Sequence, residues 1–302
     1  MIKKMTIMAV ALMLAGAACF VTVAQSQEKV VRIAYVDWST EVASAHMVQA
    51  VLQEKLGVTC VLTEMSADEM WSSVASGEQD AMVAAWLPST HGHYYEEHSQ
   101  NLEDLGANLH GTRTGLVVPD VSPGRQTGGR GMRNRPYITI ESIEELDEHA
   151  EKFDGRIVGI DPEAGIMSQA EEAIEVYGLE NMRLIEGSEA AMTAELERAI
   201  KRKDWIVVTG WSPHWVFGRW TMRFLEDPEG VFGGQEAIHT MVRTGLKEDM
   251  PQVHQLLDNF EWTAEEMDQV MLWNQMEGAD PYRSALRWMR YHPERVESWL
   301  SR

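Results

Sequence analysis

The chain alternates short apolar runs with helical stretches, and this alternation constrains its fold more than any other feature. The runs at 30–36, 58–63 and 81–85 consist mainly of β-branched or small apolar residues, so they are predicted to be strands. Apolar residues at helical spacing follow, over 39–54 and 67–76. Strands separated by helices build βαβ units with a mostly parallel sheet. The sequence therefore predicts an α/β fold.

A basic loop at residues 120–137 interrupts this alternation. It contains four arginines in a chain whose formal net charge is −21. We expect it to be a solvated surface insertion, and a contact surface for an acidic partner is the alternative. Strands are predicted again at 156–160, 182–185 and 205–209, with a helix at 143–153 before them, whereas the chain from 218 onward reads as mostly helical. Two sets of βαβ units indicate two α/β lobes.

The charge balance narrows the class of partner. A net charge of −21 argues against binding nucleic acid, because phosphate contacts need a basic surface. A field of this sign favours cationic ligands, and the eleven tryptophans supply the best faces for cation–π contacts.

Residues 1–24 have the features of a signal peptide. Lys3 and Lys4 precede a long apolar run, and Thr22-Val23-Ala24 is a small-residue cleavage site. An uncleaved anchor and a lipid-modified Cys19 are the alternatives. We therefore expect a periplasmic protein, with a membrane-anchored form possible. Cys60 would be the one cysteine of the mature chain and is expected in the core.

Three tryptophans share one sequence context. Trp38, Trp86 and Trp211 each come at the end of a predicted strand and just before a turn. Ligands of open α/β sheets bind at that edge, so a cleft between lobes would bring the three indoles face to face. Three ring faces suit a quaternary ammonium ion, which has no N–H to donate. The alternative is that Trp86 is a core residue and His91 a solvated helix residue.

Polar residues near these tryptophans predict helix starts and an anion site. Ser39 or Thr40, and likewise Ser89 or Thr90, are expected to cap the helices that follow. Gly165 and Ile166 open a predicted helix, so their amides have no intrahelical partner and can bind negative charge.

His91 would donate a further hydrogen bond to that anion, and His214 is a weaker candidate for the site. A cationic head with a carboxylate tail describes a betaine. The other eight tryptophans are expected to serve packing: Trp71, Trp205, Trp215, Trp220, Trp262, Trp273, Trp288 and Trp299.

Seven motifs give the chain a resemblance to a known family over nearly all of its mature length. They are YVDW at 35–38, MWSSVA at 70–75, AWLPSTH at 85–91, DLGANL at 104–109, GIM at 165–167, AAMT at 190–193 and TGWSPHW at 209–215. The chain resembles the glycine betaine-binding proteins of ABC-type osmoprotectant importers, which have a type II periplasmic binding-protein fold. It departs from them in the long basic loop 120–137, which could alter hinge behaviour or docking.

The resemblance implies a two-lobed fold with a ligand cleft between the lobes, each lobe a mostly parallel sheet flanked by helices. Lobe I would comprise 30–118 and about 217–302, and lobe II about 119–216. The resemblance assigns Trp38, Trp86 and Trp211 to a cage around the cation. It assigns the carboxylate to the amides of Gly165 and Ile166 and to the His91 side chain.

The resemblance also implies a monomer that delivers its ligand to the permease and ATPase subunits of an ABC importer. Choline, carnitine or a sulfonium betaine such as dimethylsulfoniopropionate is the alternative ligand, and an enzyme acting on quaternary amines is the alternative class. The sequence offers no matched acid–base pair, metal-ligand cluster or cofactor motif, so we expect neither catalysis nor a cofactor.

Overall fold

The computed structural model describes residues 30–120 and 136–301. The predicted signal peptide at 1–24 lies outside the described residues, as does most of the basic loop at 120–137. No helix in the described part of the chain is long and apolar enough to cross a bilayer.

Nine strands are present within the described residues. They are β1 (Val30–Tyr35), β2 (Thr59–Glu64), β3 (Ala81–Leu87), β4 (Leu102–Pro119), β5 (Arg156–Val158), β6 (Arg183–Ile185), β7 (Val208–Ser212), β8 (Met222–Phe224) and β9 (Glu236–Arg243).

Helices separate the parallel strands and cover the C-terminal quarter of the chain. They are α1 (Ser39–Leu56), α2 (Ala67–Ser76), α3 (Gly92–His98), α4 (Gly165–Val176), α5 (Glu189–Arg202), α6 (Trp215–Arg219), α7 (Leu246–Asp249), α8 (Pro251–Asn259), α9 (Ala264–Asn274), α10 (Pro281–Tyr291) and α11 (Pro293–Leu300). The predicted helix 143–153 is instead two short 3-10 turns, Ile143–Glu145 and Ala150–Phe153.

The strands follow the order β2-β1-β3-β9-β4-β7-β5-β6, with β8 pairing β4. Strand β1 pairs in parallel with β2 and β3, and β5 pairs in parallel with β6 and β7. The predicted α/β fold is confirmed, with parallel strands flanked by helices at both ends of the sheet. Between them lie two antiparallel strands, β4 and β9, which the sequence analysis did not predict at this length.

Strand β4 connects the two halves of the molecule. It pairs with β9 as far as Thr112 and with β7 from Arg113 onward. We define lobe I as residues 30–112 and 236–301, and lobe II as the described residues of 113–224. The segment 225–235 connects lobe II back to lobe I. The predicted bounds at 118 and about 217 lie close to these points, and the division into two moving lobes stays a prediction.

The chain after Gly218 is mostly helical, as expected, but it also contains β8 and β9. Cys60 is buried and unpaired, as expected. Trp71, Trp262, Trp288 and Trp299 are fully buried packing residues, also as expected.

Candidate ligand-binding site

A small cavity lies between the lobes. Its lining includes all six residues that the sequence analysis proposed as ligand contacts. The full lining is Trp38, Thr40, Trp86, Thr90, His91, Thr114, Ile160, Ala164, Gly165, Ile166 and Trp211. The structure thus brings the six predicted residues together, and their role as ligand contacts stays a prediction.

The three tryptophans reach the cavity from three different elements. Trp38 is the residue before α1, Trp86 is the penultimate residue of β3, and Trp211 is the penultimate residue of β7. All three are at most 6% exposed. The indole N–H of Trp38 donates to Asp161 Oδ2 of lobe II at 2.9 Å, which fixes the orientation of that ring. Indoles from both lobes therefore line one small space with mainly apolar walls.

His91 is a buried neutral donor. It is 1% exposed, so the alternative that it is a solvated helix residue is wrong. Its Nδ1 accepts a hydrogen bond from the Trp86 backbone amide at 3.2 Å, which leaves the ring proton on Nε2. Burial, with a smaller contribution from His93, lowers the pKa of His91 to about 3. The ring can therefore donate one hydrogen bond at neutral pH without carrying charge.

The start of α4 supplies two further donors. Ala164 precedes the helix and makes no side-chain cap, and the amides of Gly165 and Ile166 donate no hydrogen bond to any described residue. The N-terminus of a helix favours negative charge, so these amides can bind an anion.

Gly165 also lies against the opposite lobe. A Cβ atom at Gly165 would stand 1.8 Å from the backbone oxygen of Thr90. The structure therefore places the Thr90 backbone, from lobe I, directly against this glycine of lobe II.

The turn that carries Thr90 is held by a distant carboxylate. The amides of Ser89 and Thr90 both donate to Glu236 Oε1 at 2.7 Å, and Thr90 Oγ1 donates to Glu236 Oε2 at 2.5 Å. The expected caps at Ser89 or Thr90 are wrong, because α3 begins after His91 and has no side-chain cap. The expected caps at Ser39 or Thr40 are wrong as well, since α1 begins after Trp38.

Further bonds close the cleft. Glu189 of α5 accepts the Ser39 amide at 2.8 Å, and the Tyr94 hydroxyl donates to the backbone oxygen of Glu163 at 3.0 Å. Together with the Trp38–Asp161 bond, these join lobe I to lobe II. Asp161, Glu189 and Glu236 are not among the residues predicted from the sequence to take part in the site. Asp161 lies in the turn before Gly165 and could have been noticed, whereas nothing in the local sequence marks the two glutamates.

His214 does not line the cavity. Its ring packs edge-on against Trp211, with centroids 4.5 Å apart, so it supports the cavity wall from behind. No cluster of His, Cys, Asp or Glu within the described residues is arranged to hold a metal ion.

The lining can bind both ends of a small zwitterion. Indole faces attract a cation through their quadrupole and by dispersion. The His91 Nε2–H and the two α4 amides are donors suited to a carboxylate. Both sets line the same cavity.

Comparison with known proteins agrees with this chemistry. Residues 29–291 match the family described as the substrate binding domain of ABC-type glycine betaine transport systems. A glycine betaine/carnitine transport binding protein of Listeria monocytogenes, GbuC, is 45% identical over 163 residues, which are 53% of this chain and 54% of that protein. The match thus spans about half the length of that curated relative.

Two solved structures are similar over nine-tenths of the chain. Lactococcal OpuAC, in a closed form complexed with glycine betaine, has a TM-score of 0.81 and 36% identity, covering 90% of this chain and all of that one. An ABC-transporter choline binding protein in complex with choline has a TM-score of 0.78 and 26% identity, covering 90% of this chain and 92% of that one. The chain belongs to the family of substrate-binding domains of ABC-type glycine betaine transport systems.

Proposed function

We propose that the protein is an extracytoplasmic solute-binding protein that captures glycine betaine, or a closely related betaine, for uptake by an ABC importer. One observation carries the proposal: three indoles, a neutral histidine donor and two free helix amides line the same cavity. The family to which the chain belongs supports it, because relatives of this family bind the same class of compound.

In the proposed binding mode the cation and the carboxylate each contact both lobes. Trp38 and Trp86 of lobe I and Trp211 of lobe II surround the trimethylammonium group. The Gly165 and Ile166 amides and the His91 Nε2–H bind the carboxylate. Each desolvated cation–π contact contributes about 1–2 kcal/mol, so three supply a large part of the roughly 8 kcal/mol that micromolar binding requires.

Closure of the cleft follows from these contacts with both lobes. A ligand that touches both lobes binds the closed form more tightly than the open form, and it therefore shifts the population toward closure. The closed protein would then dock on a membrane permease and its ATPase. The proposal includes export through the segment 1–24, a periplasmic location and a monomeric, non-catalytic role.

Choline is the second candidate ligand, since a similar solved structure contains it. Choline has no carboxylate, so it would leave the α4 amides and the His91 donor without an anionic partner. Those unpaired buried donors favour a betaine over choline.

Isothermal titration calorimetry against glycine betaine, carnitine, dimethylsulfoniopropionate and choline tests the proposal. We expect the carboxylate-containing ligands to bind more tightly than choline, with glycine betaine the tightest. Equal or tighter binding of choline would overturn the assignment of the donors, and no binding of any of the four would overturn the proposed function.

A further inference from the structure

Glu189 occupies an unusual position at the first residue of α5. Its carboxylate is 7% exposed and accepts hydrogen bonds from both lobes. From lobe I it accepts the Ser39 amide at 2.8 Å and the Ser39 hydroxyl. From lobe II it accepts the indole N–H of Trp215 at 3.3 Å, and His214 Nε2 lies 3.2 Å away.

These partners adjoin the walls of the ligand cavity. Ser39 follows Trp38 in the chain, so its amide bond to Glu189 fixes the backbone that carries this indole. His214 packs edge-on against Trp211, and its Nδ1 accepts the Val216 amide, which leaves the proton on the nitrogen that faces Glu189. One carboxylate thus connects the lobe I wall of the cavity to the support of the lobe II wall.

We propose that Glu189 is a positioning residue that latches the two lobes together and fixes the cage in its closed geometry. It does not line the cavity and would act through Ser39 and His214. The inference deepens the proposed function and rests on it for the identity of the ligand.

The local chemistry favours a charged acceptor at this point. The first amides of a helix have no intrahelical partner, and α1 has no side-chain cap of its own, so a carboxylate from lobe II completes the start of α1 only when the lobes meet. Although burial alone would raise the pKa of Glu189, His214 and the Ser39 donors hold this pKa below its ordinary value. The latch is therefore ionised at neutral pH.

Two single variants break the latch from opposite sides. Glu189→Gln replaces the charged acceptor on lobe II. Ser39→Pro removes the N–H donor on lobe I at the first helical position, where proline is well tolerated, and Trp38 already has the extended backbone that precedes proline. Ser39→Ala keeps the amide and is the conservative counterpart. Glu195→Gln is the matched control on α5, because Glu195 pairs with Arg156 inside lobe II.

The decisive measurement is the dissociation rate of glycine betaine, followed by stopped-flow tryptophan fluorescence. We expect Glu189→Gln and Ser39→Pro each to raise this rate about tenfold with little change in the association rate. The double variant should resemble either single variant, because both weaken the same contact between Ser39 and Glu189. Ser39→Ala loses the hydroxyl donor but keeps the amide, so it should raise the rate less than Ser39→Pro does. Glu195→Gln should stay within about twofold of the wild type.

Thermal unfolding without ligand separates a latch from a general structural role. A latch predicts that Glu189→Gln and Ser39→Pro keep nearly the wild-type melting temperature. Unchanged dissociation rates, additive effects in the double variant, or equal loss of melting temperature in both variants would overturn the proposal.

If the wild-type protein does not bind glycine betaine, the proposed function fails, and small-angle scattering of the ligand-free proteins then tests the latch. A larger radius of gyration in Glu189→Gln and Ser39→Pro than in the wild type would support it. Identical radii would overturn it.

Discussion

The hydrogen bond from the Trp86 amide to His91 Nδ1 determines what the imidazole can do. An acceptor role for Nδ1 leaves Nε2 as a donor, and burial keeps the ring uncharged. Since Trp86 and His91 belong to one short stretch, the same turn supplies an aromatic face and a donor to the cavity. Periodicity places both residues near a strand end but does not specify the protonated nitrogen, which depends on a contact five residues away.

Replacing His91 should separate betaine from choline. We expect His91→Ala to weaken glycine betaine binding about tenfold or more, because a hydrogen bond to a charged group is worth about 1.5–3 kcal/mol. Choline should lose much less, since it presents no carboxylate. Calorimetric titration of both ligands against the same variant gives an internal control, and equal losses would remove His91 from the carboxylate site.

Burial of His91 also predicts acid sensitivity. Its pKa is about 3 in the fold and close to 6.5 when exposed, so the unfolded chain binds the proton first as the pH falls. The free energy of unfolding should therefore be highest, as far as this group is concerned, above pH 6.5. It should fall by up to about 1.4 kcal/mol for each pH unit between 6.5 and 3. Urea unfolding at pH 7 and pH 5 should show a smaller loss for His91→Gln than for the wild type.

Trp86 offers the most direct test of the cage. Trp86→Ala should weaken glycine betaine binding tenfold or more, through about 1–2 kcal/mol of lost cation–π attraction. The affinity of Trp86→Phe for glycine betaine should lie between those of Trp86→Ala and the wild type, since a phenyl face attracts a cation more weakly than an indole face. Trp205→Ala is the control, because that indole stacks on His149 away from the cavity. Unchanged affinity of folded Trp86→Ala protein would contradict the cage assignment.

At the scale of elements, the βαβ alternation and some of the element ends were predictable, but the tertiary partners at the starts of two helices were not. Strand β3 ends at Leu87, before Pro88, and α2 spans the predicted 67–76, because these boundaries depend on neighbouring residues. The start of α1 depends instead on Glu189, and the turn before α3 depends on Glu236; each glutamate lies about 150 positions away. A local serine or threonine is the expected cap only when no tertiary partner competes for the same amides.

Strands β4 and β9 escaped prediction for a related reason. Strand β4 contains glycines at positive φ, Gly106 and Gly111, and its pairing with β9 shifts register three times. These irregularities break the period-two pattern that marks a strand. The long antiparallel pair is stabilised by pairing across the sheet, which periodicity along the chain does not report.

The contact between α4 and the turn after β3 predicts the effect of a single methyl group. Gly165→Ala would place Cβ 1.8 Å from the Thr90 oxygen. The two lobes could then not approach each other as closely as they do in this structure. Overpacking of this kind costs about 1–3 kcal/mol, so betaine affinity should fall by about fivefold to a hundredfold. Gly92→Ala is the matched control, because nothing lies within 4 Å of a Cβ at that position. Calorimetry of the two variants checks this, and wild-type affinity in Gly165→Ala would show that closure does not need the contact.

For the whole molecule, acidic groups of both lobes meet at the mouth of the cleft. Asp37 and Glu64 of lobe I and Asp161, Glu163 and Glu189 of lobe II line one opening beside Trp38, which we call the acidic rim. Burial raises the pKa of Asp37, and Glu64, Glu189 and Asp161 raise it further. Closure therefore brings like charges together, in a chain whose net charge is already −21.

This repulsion predicts that salt strengthens ligand binding. Screening shortens the reach of charges from about 30 Å at 0.01 M salt to about 8 Å at 0.15 M. A zwitterion has no net charge to be screened, so the dominant effect should be a lower cost of closing the acidic rim. We expect the affinity for glycine betaine to rise roughly twofold to fivefold over this range, the size of exposed charge interactions.

Asp37→Asn assigns that salt effect to the acidic rim. The variant should bind glycine betaine more tightly than the wild type at 0.01 M salt and should respond less to added salt, because one of the opposed charges is gone. Glu294→Gln, an exposed carboxylate change on α11, should keep the wild-type response, since it alters the net charge equally but lies outside the rim. Titrations at several salt concentrations measure the slope for each protein. Equal slopes for Asp37→Asn and Glu294→Gln would mean that net charge governs closure, and weaker binding with rising salt would mean that attraction of the cation outweighs repulsion between the lobes.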